Sequence, residues 1–232
     1  MLVPRSSNIL KIGHRGAKGH IAENTIASFE KAMELGCDGI ELDVHLSADG
    51  KVIVIHDFTV DRTTGGQGEV AAMTLPELRR NNTSAGPVPL LEEVLELMSP
   101  GLLINIEIKA PAATYPTMEL IRKTIKKGRA TKDQFIVSSF EWDSLKEIRE
   151  AEPEIPLGIL TATDLDLAVA FADFLKAESI HPHFHLLTSK NVRSMQEKAL
   201  KVFAWTVNEP SDIANVKSLK VDAIITDFPE RL

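Results

Sequence analysis

The stretch from Asp38 to Asp57 concentrates polar side chains that could perform chemistry within two apolar runs. Glu41, Asp43 and His45 occupy alternate positions of the first run, so a β-strand would direct all three toward one face. The second run follows an Asp-Gly turn and ends in His-Asp. Two acids and a histidine on a buried strand are costly unless they are paired or hold a cation. The pattern therefore indicates a metal-assisted site.

Two further segments carry residues of the same types. His14 and Arg15 follow an apolar run, and Glu107 and Lys109 alternate through the sequence INIEIK. Because histidines titrate near neutral pH, the pair His14 and His56 suits proton transfer to and from a phosphate ester. The guanidinium of Arg15 and the ammonium of Lys109 are suited to hold the phosphate. The alternative is that the histidines are structural and the two cations only balance nearby acids.

The carboxylates define a candidate metal site. Glu41, Asp43 and Glu107 lie on two strands that we expect to be neighbours, and their oxygens are ligands that Mg²⁺ and Ca²⁺ prefer. The alternative is a buried salt-bridge network with Arg15 and Lys109. Three acids against two bases leave a negative charge that a divalent cation would offset, so we favour the metal site.

Other histidines and aromatic residues give weaker signals. His45 shares the face of the acids, and we expect it to support the metal ligands rather than to be one. The histidines of HPHFH, residues 181–185, alternate as ligands could, but no acid accompanies them. Trp205 and Phe140 are predicted to line the substrate pocket, although core packing is an equally good account of Phe140.

Short apolar runs alternate with amphipathic stretches along the chain, which is typical of βα units. With the hairpin formed by residues 39–56 counted as one unit, eight such units predict an α/β protein, a (β/α)₈ TIM barrel. An open doubly wound sheet is the alternative, but polar residues at the predicted strand ends favour the barrel. The predicted strands are 9–13, 39–45, 51–56, 102–109, 135–139, 157–161, 179–183, 202–206 and 223–226. The predicted helices are 24–35, 89–98, 115–127, 141–151, 165–175, 191–199 and 210–219.

Residues 57 to about 88 interrupt this alternation. They contain a Thr-Thr-Gly-Gly sequence and a short helix in TLPELRR, with few long apolar runs. A phosphate-binding loop is disfavoured because no Gly-Lys-Ser/Thr follows the glycines. We therefore predict a small insertion after the second strand, which forms a solvated loop over the active site. The rest is a single domain within residues 1–232, and residues 1–7 resemble the remnant of a protease cleavage site.

The composition limits the classes of function. The 232 residues are 44% hydrophobic and 25% charged, as in ordinary soluble globular proteins. The net charge of −7 argues against a nucleic-acid partner and against stable membrane association. Cys37 is the only cysteine, which excludes a disulfide framework and a thiolate metal cluster. The first residues lack the pattern of a signal peptide, so we expect a cytoplasmic location. The sequence leaves the oligomeric state open.

An ordered series of motifs runs through the chain. They are His14-Arg15-Gly16, Glu23-Asn24-Thr25, Glu41-Leu42-Asp43-Val44, Val54-Ile55-His56-Asp57, Glu107-Ile108-Lys109, Ser138-Ser139-Phe140, Trp205-Thr206-Val207-Asn208 and Ile225-Thr226-Asp227-Phe228-Pro229. In this order and at similar spacings, they resemble the glycerophosphodiester phosphodiesterase family over nearly the whole chain. Each motif alone is a weak signal, whereas the ordered set is a strong one.

The resemblance implies a barrel enzyme that hydrolyses small-molecule glycerophosphodiesters to sn-glycerol 3-phosphate and an alcohol. It also implies one divalent cation, Mg²⁺ or Ca²⁺. Carried over residue by residue, the metal ligands are Glu41, Asp43 and Glu107, the acid–base pair is His14 and His56, and the phosphate-binding residues are Arg15 and Lys109.

Two other functions stay open. A phospholipase D-like enzyme acting on lysophospholipids would share the barrel and the acid cluster, but the sequence shows no obvious apolar membrane-binding patch. A noncatalytic barrel that binds phosphate metabolites would be expected to lack a histidine or a ligand. Since none is missing, catalysis is favoured.

Overall fold

The sheet closes into a barrel in the computed structural model, which describes residues 9–232. The strands in this range are β1 Leu10–Gly13, β2 Gly39–Leu46, β3 Val52–Val54, β4 Leu103–Ile108, β5 Phe135–Ser139, β6 Leu157–Thr161, β7 Ser179–Pro182, β8 Lys201–Ala204 and β9 Ala223–Thr226. Hydrogen-bonded neighbours follow the order β1-β9-β8-β7-β6-β5-β4-β2, and β2 pairs again with β1. All pairs in this ring are parallel. The predicted (β/α)₈ barrel is therefore confirmed.

The strand β2 is longer than its neighbours because it takes part in two pairings. Its first six residues, from Gly39 to Val44, pair in parallel with β4. Its last three residues, from Val44 to Leu46, pair antiparallel with β3. The connecting turn includes Gly50 at φ 74°, a left-handed conformation that favours glycine. The hairpin returns the chain to the rim of the barrel at His56.

The helices lie between the strands, as the alternation predicted. They are α1 Ile26–Glu34, α2 Leu75–Leu78, α3 Leu91–Leu95, α4 Thr114–Lys126, α5 Trp142–Ala151, α6 Leu165–Leu175, α7 Ser189–Glu197 and α8 Pro210–Ser218. Apart from α2, their apolar faces and the outer face of the barrel form one continuous hydrophobic core. None of the helices between residues 9 and 232 has the length and apolar character needed to span a bilayer.

Several boundaries differ from the predicted ones for local reasons. The helix predicted at 24–35 begins at Ile26 because Asn24 is left-handed at φ 55° and Thr25 caps the helix. The helix predicted at 89–98 is shorter, Leu91–Leu95. The strand predicted at 179–183 ends at Pro182, and a 3₁₀ turn, Phe184–Leu186, follows. The possible cleavage remnant, residues 1–7, lies outside the described residues.

The insertion after the second strand is present and has a small core of its own. Its apolar residues pack on the outer side of β3, and the cluster consists of Ile53, Ile55, Val60, Val70, Leu78 and Val88. Thr74 and Glu77 form a capping box at the start of α2. The insertion is therefore a packed unit rather than a solvated loop throughout, which allows it to hold a side chain against the site.

The interior of the barrel changes from apolar to charged along its axis. The apolar part of the interior is filled by the side chains of Ile12, Ile136, Phe203, Ala223 and Ile225. Beyond them, the inward-facing positions of β2 and β4 carry the acids Glu41, Asp43 and Glu107. Cys37 lies apart from these acids, and burial raises the pKa of its thiol to about 12. It is a packed thiol.

Candidate active site

Three carboxylates face the barrel interior from β2 and β4. Glu41 is in register with Asn105, and Asp43 is in register with Glu107, so alternate side chains of both strands point inward. One carboxylate oxygen from each acid lies within 4.8 Å of those of the other two. All three side chains are buried, with Asp43 only 1% exposed. The structure thus brings together the predicted metal ligands.

The acids destabilise one another in the absence of a cation. Burial raises the pKa of Glu41 well above its ordinary value, and the charges of Asp43 and Glu107 raise it further. Burial and the charge of Asp43 raise the pKa of Glu107 to about 7. Among the described residues, Asp43 Oδ1 has no hydrogen-bond partner. Hard oxygen donors with this excess of negative charge fit a divalent cation such as Mg²⁺ or Ca²⁺.

Arg15 lies against two of these acids through both its backbone and its side chain. Its backbone N–H donates to Glu41 Oε2 at 2.9 Å, with Arg15 in the left-handed region at φ 51°. Its Nε lies 3.2 Å from Asp43 Oδ2, and its Nη1 donates to Glu23 Oε1 at 2.7 Å. The strained loop therefore holds a buried guanidinium at the edge of the acid cluster.

Lys109 stands between the acids, a histidine and an aromatic ring. Its Nζ donates to Glu107 Oε1 at 2.8 Å and lies 3.9 Å from Asp43 Oδ1. The same atom lies 3.3 Å from His56 Nε2 and 5.9 Å from the ring centre of Phe140. Although burial alone would lower the pKa of Lys109, the charge of Glu107 raises it, so the ammonium stays protonated. A fixed positive charge thus lies where a phosphate could bind.

His14 forms a hydrogen-bonded pair with Asp227. Its Nδ1 lies 2.6 Å from Asp227 Oδ1. Asn208 fixes this carboxylate, because its Nδ2 donates to Asp227 Oδ2 at 2.8 Å and its Oδ1 accepts the Asp227 N–H at 2.9 Å. Burial lowers the pKa of His14, which favours the neutral ring. Since the carboxylate accepts from Nδ1, the lone pair of the neutral ring is at Nε2.

His56 forms a second pair of the same kind with Asp57. Its Nδ1 lies 2.6 Å from Asp57 Oδ1, and Arg62 donates to both oxygens of Asp57 at 2.6 and 3.0 Å. These bonds from Arg62 hold the pKa of Asp57 well below its ordinary value. Burial lowers the pKa of His56. His45, expected to support the site, donates from Nε2 to the His56 carbonyl at 3.0 Å.

A small cavity opens beside these groups. It is lined by His14, Glu41, Asn105, Glu107, Leu160, Trp205 and Ile225. Trp205 is held by a hydrogen bond from Nε1 to the His181 carbonyl, 2.7 Å long, and packs edge-to-face on Phe140 at 5.6 Å. Phe140 is 43% exposed, so core packing does not account for it. Trp205 therefore lines the cavity, and Phe140 packs against Trp205.

The remaining histidines lie outside any acid cluster that the structure describes. His181 is fully buried, its Nε2 lies 2.9 Å from Ser179 Oγ, and burial lowers its pKa to about 3. The rings of His183 and His185 lie 5.0 Å apart. The group of acids that could hold a metal ion in the described range does not include these histidines.

Sequence reasoning assigned no role to several residues of the site. Asp227 and Asn208 lie within motifs of the ordered series. The motifs mark their positions but do not show which side chains they contact. Asn105 alternates with Glu107, is 1% exposed, and its Oδ1 has no hydrogen-bond partner among the described residues. No sequence pattern pointed to Arg62, because its contacts form only when the insertion is folded.

Comparisons with known proteins agree with this geometry. Residues 14–231 match the model of the glycerophosphoryl diester phosphodiesterase family. A glycerophosphodiester phosphodiesterase of Caldanaerobacter subterraneus is 40% identical, over 96% of each chain. A glycerophosphodiester phosphodiesterase of Thermotoga maritima has a similar solved structure, with 31% identity, a TM-score of 0.83 and 96% of each chain covered.

A second solved structure contains a ligand. An Oleispira antarctica phosphodiesterase in complex with the product sn-glycerol-3-phosphate is 27% identical, with a TM-score of 0.86. The match covers 95% of the present chain and 93% of that one. On the family match and the identity to these relatives, the chain belongs to the glycerophosphoryl diester phosphodiesterase family and is a phosphoric diester hydrolase.

Proposed function

We propose that the enzyme hydrolyses glycerophosphodiesters to sn-glycerol 3-phosphate and an alcohol, using one divalent cation and the acid–base pair His14 and His56. One observation carries the proposal. Two histidine–aspartate pairs and the positively charged side chains of Arg15 and Lys109 lie around three buried carboxylates at one end of the barrel. The Caldanaerobacter relative is named for this activity, and the structure of the Oleispira enzyme contains the product sn-glycerol-3-phosphate.

The carboxylates of Glu41, Asp43 and Glu107 would hold the cation. When bound, a divalent cation supplies Lewis-acid stabilisation of the charge that develops on phosphate oxygens. Arg15 and Lys109 contribute fixed positive charge beside Asp43, the first as a planar fork and the second as a point charge. These residues would orient the phosphate and offset its charge in the transition state.

The histidines would move the protons. One imidazole, in its neutral form, accepts at Nε2 the proton of the nucleophile, which is water or a glycerol hydroxyl of the substrate. The other enters the step as an imidazolium and gives its Nε2 proton to the leaving alcohol. Asp227 and Asp57 keep the Nδ1 protons in place, so that Nε2 of each ring is the atom that exchanges a proton with the substrate. Trp205 and Phe140 would bind the apolar side of the substrate.

The test is release of glycerol 3-phosphate from glycerophosphocholine, after EDTA treatment and again after Mg²⁺ or Ca²⁺ is restored. We expect activity to disappear and to return with the metal. His14→Ala and His56→Ala should abolish turnover, while His20→Ala should not, because His20 pairs with Glu230 at the surface. Activity that survives exhaustive chelation would contradict the metal, and an active His14→Ala or His56→Ala variant would contradict the acid–base assignment.

Hydrolysis of lysophospholipids is a second candidate, and one observation favours it. Large apolar side chains are exposed on segments that follow β3, β4, β5 and β6, and they are Phe58, Tyr115, Phe140 and Leu167. The sequence had shown no obvious apolar patch, since these residues are far apart in the chain. A long-chain lysophosphatidylcholine should be hydrolysed faster than glycerophosphocholine if this second function is the main one.

The cellular setting is also part of the proposal. We place the enzyme in the cytoplasm, as a single domain without nucleic-acid partners or stable membrane association. The net charge of −7 and the single, unpaired Cys37 support this assignment. Fractionation of cells that express the tagged protein would test it.

A further inference from the structure

The side chain of Arg62 connects two carboxylates that belong to different parts of the site. Its Nε and Nη2 donate to Asp57 at 2.6 and 3.0 Å, and its Nη1 and Nη2 donate to Glu23 at 3.0 and 2.8 Å. All three nitrogens of the guanidinium are therefore used. We propose that Arg62 is a positioning residue, which fixes the His56–Asp57 pair relative to the loop that carries Arg15; this rests on the proposed function.

The contacts form a continuous path between a phosphate-binding residue and a catalytic histidine. Arg15 donates to Glu23 Oε1 at 2.7 Å, and Glu23 in turn accepts from Arg62. Arg62 holds Asp57, whose Oδ1 lies 2.6 Å from His56 Nδ1. The Glu23 side chain is only 8% exposed and lies between two guanidinium groups, so it cannot move without breaking one of these pairs.

The two histidine pairs are supported in different ways. Asp227 is held by the neutral amide of Asn208, which also accepts the backbone N–H of Asp227. Asp57 is held by the guanidinium of Arg62, which belongs to the insertion and whose side chain is 49% exposed. The position of His14 therefore depends on the barrel itself, whereas that of His56 depends on where the insertion packs.

The fork shape of the guanidinium is essential to this role. It donates side-on to Asp57 through two nitrogens while it still reaches both oxygens of Glu23. A lysine at this position would restore the charge, but one ammonium cannot make paired, coplanar bonds to two carboxylates. Arg62→Lys should therefore resemble Arg62→Ala more than the wild type.

The kinetic test compares Arg62→Ala and Arg62→Lys with a matched control, Arg79→Ala. Arg79 also belongs to the insertion and pairs with Glu93, away from the site. We expect kcat/KM for glycerophosphocholine to fall by about 10- to 100-fold in both Arg62 variants, because small misplacements of reacting groups cost rates of this size. Arg79→Ala should match the wild type. A fully active Arg62→Lys would show that charge alone suffices and would overturn the positioning role.

A second measurement separates positioning from loss of folding. In ¹⁵N-histidine NMR spectra, a proton on Nδ1 that is bonded to a carboxylate exchanges slowly. We expect the His56 signal to broaden or vanish in Arg62→Ala, while the His14 signal stays unchanged as an internal control. Two unchanged signals, or two lost ones, would contradict the proposal. An inactive wild type would overturn the proposed function instead, and the NMR comparison would still decide the role of Arg62.

Discussion

The Nδ1 atom of His14 lies 2.6 Å from Oδ1 of Asp227, although the two residues are 213 positions apart. They meet because β1 and β9 are neighbours where the barrel closes, with Gly13 in register with Thr226. Closure of the barrel therefore completes one of the two histidine–aspartate pairs. The other pair is formed by adjacent residues and is held by the insertion.

The first prediction concerns this pair. Asp227→Asn should lower kcat steeply, because an amide no longer fixes the proton on His14 Nδ1. Replacement of the orienting aspartate in a serine-protease triad costs about 10⁴-fold, which sets the scale of the loss. Glu230→Gln is a matched control, since Glu230 pairs with His20 at the surface. Steady-state kinetics with glycerophosphocholine measures both, and a loss of less than about tenfold in Asp227→Asn would contradict the orienting role.

The second prediction is a dependence of stability on pH that arises from Glu23. Burial alone would raise the pKa of Glu23, but bonds from Arg62 and the charge of Arg15 lower it from 4.5 to about 2. Below pH 4.5 the unfolded chain binds this proton while the folded protein does not, so stability is lost as the pH falls to 2. The contribution is at most about 3 kcal/mol.

Urea unfolding between pH 6 and 2 measures this contribution. We expect the free energy of unfolding to fall less steeply with acidification in Glu23→Gln than in the wild type. Glu34→Gln, an exposed glutamate that pairs with Lys31 on α1, should follow the wild-type curve. Identical slopes for Glu23→Gln and the wild type would show that the ion pairs of Glu23 do not stabilise the fold.

The third prediction concerns Phe140, the aromatic residue that packs against Trp205. Phe140→Ala should raise KM for glycerophosphocholine roughly fivefold with little change in kcat, the size of effect expected when an aromatic contact is lost. The fold should be preserved because Phe140 is 43% exposed. Phe174→Ala removes a similarly exposed ring near the end of α6 and should leave KM unchanged. An unaltered KM in Phe140→Ala would exclude this residue from substrate binding.

The sequence was sufficient to predict the barrel and the clustering of the three candidate acids, and the reason is periodicity. Alternation with a period of two places Glu41 and Asp43 on one face of β2, and the observed register brings Asp43 beside Glu107. Residues at strand ends, such as His14, follow from the same rule, since parallel strands of a barrel end on one face.

The parts that could not be predicted depend on loops and on distant contacts. The left-handed conformations of Arg15 and Asn24 shape the first loop, and apolar periodicity carries no information about them. Arg62 reaches Glu23 across 39 positions only because the insertion packs against β3. Spacing in the sequence does not encode such a contact.

The last prediction tests the carboxylate cluster without an activity assay. Glu41→Gln should abolish binding of Mg²⁺ or Ca²⁺ in calorimetric titrations, because it removes the charge of one of the three proposed ligands. In metal-free protein the same change should stabilise the fold by roughly 1 kcal/mol or more, since it replaces a carboxyl whose charged form is disfavoured by burial and by the neighbouring acids. The glutamine oxygen can still accept the Arg15 backbone N–H that Glu41 now accepts. Thermal unfolding in EDTA and in excess metal measures both effects.

Glu150→Gln provides the control, because Glu150 is exposed and lies 3.9 Å from Lys146 on α5. It should bind metal as the wild type does and gain no stability in EDTA. A fall in the metal-free stability of Glu41→Gln would instead favour the alternative raised by the sequence, a salt-bridge network in which Glu41 is balanced by Arg15. Wild-type metal affinity in Glu41→Gln would exclude Glu41 as a ligand, because a neutral amide cannot replace the charge of a carboxylate on a hard cation.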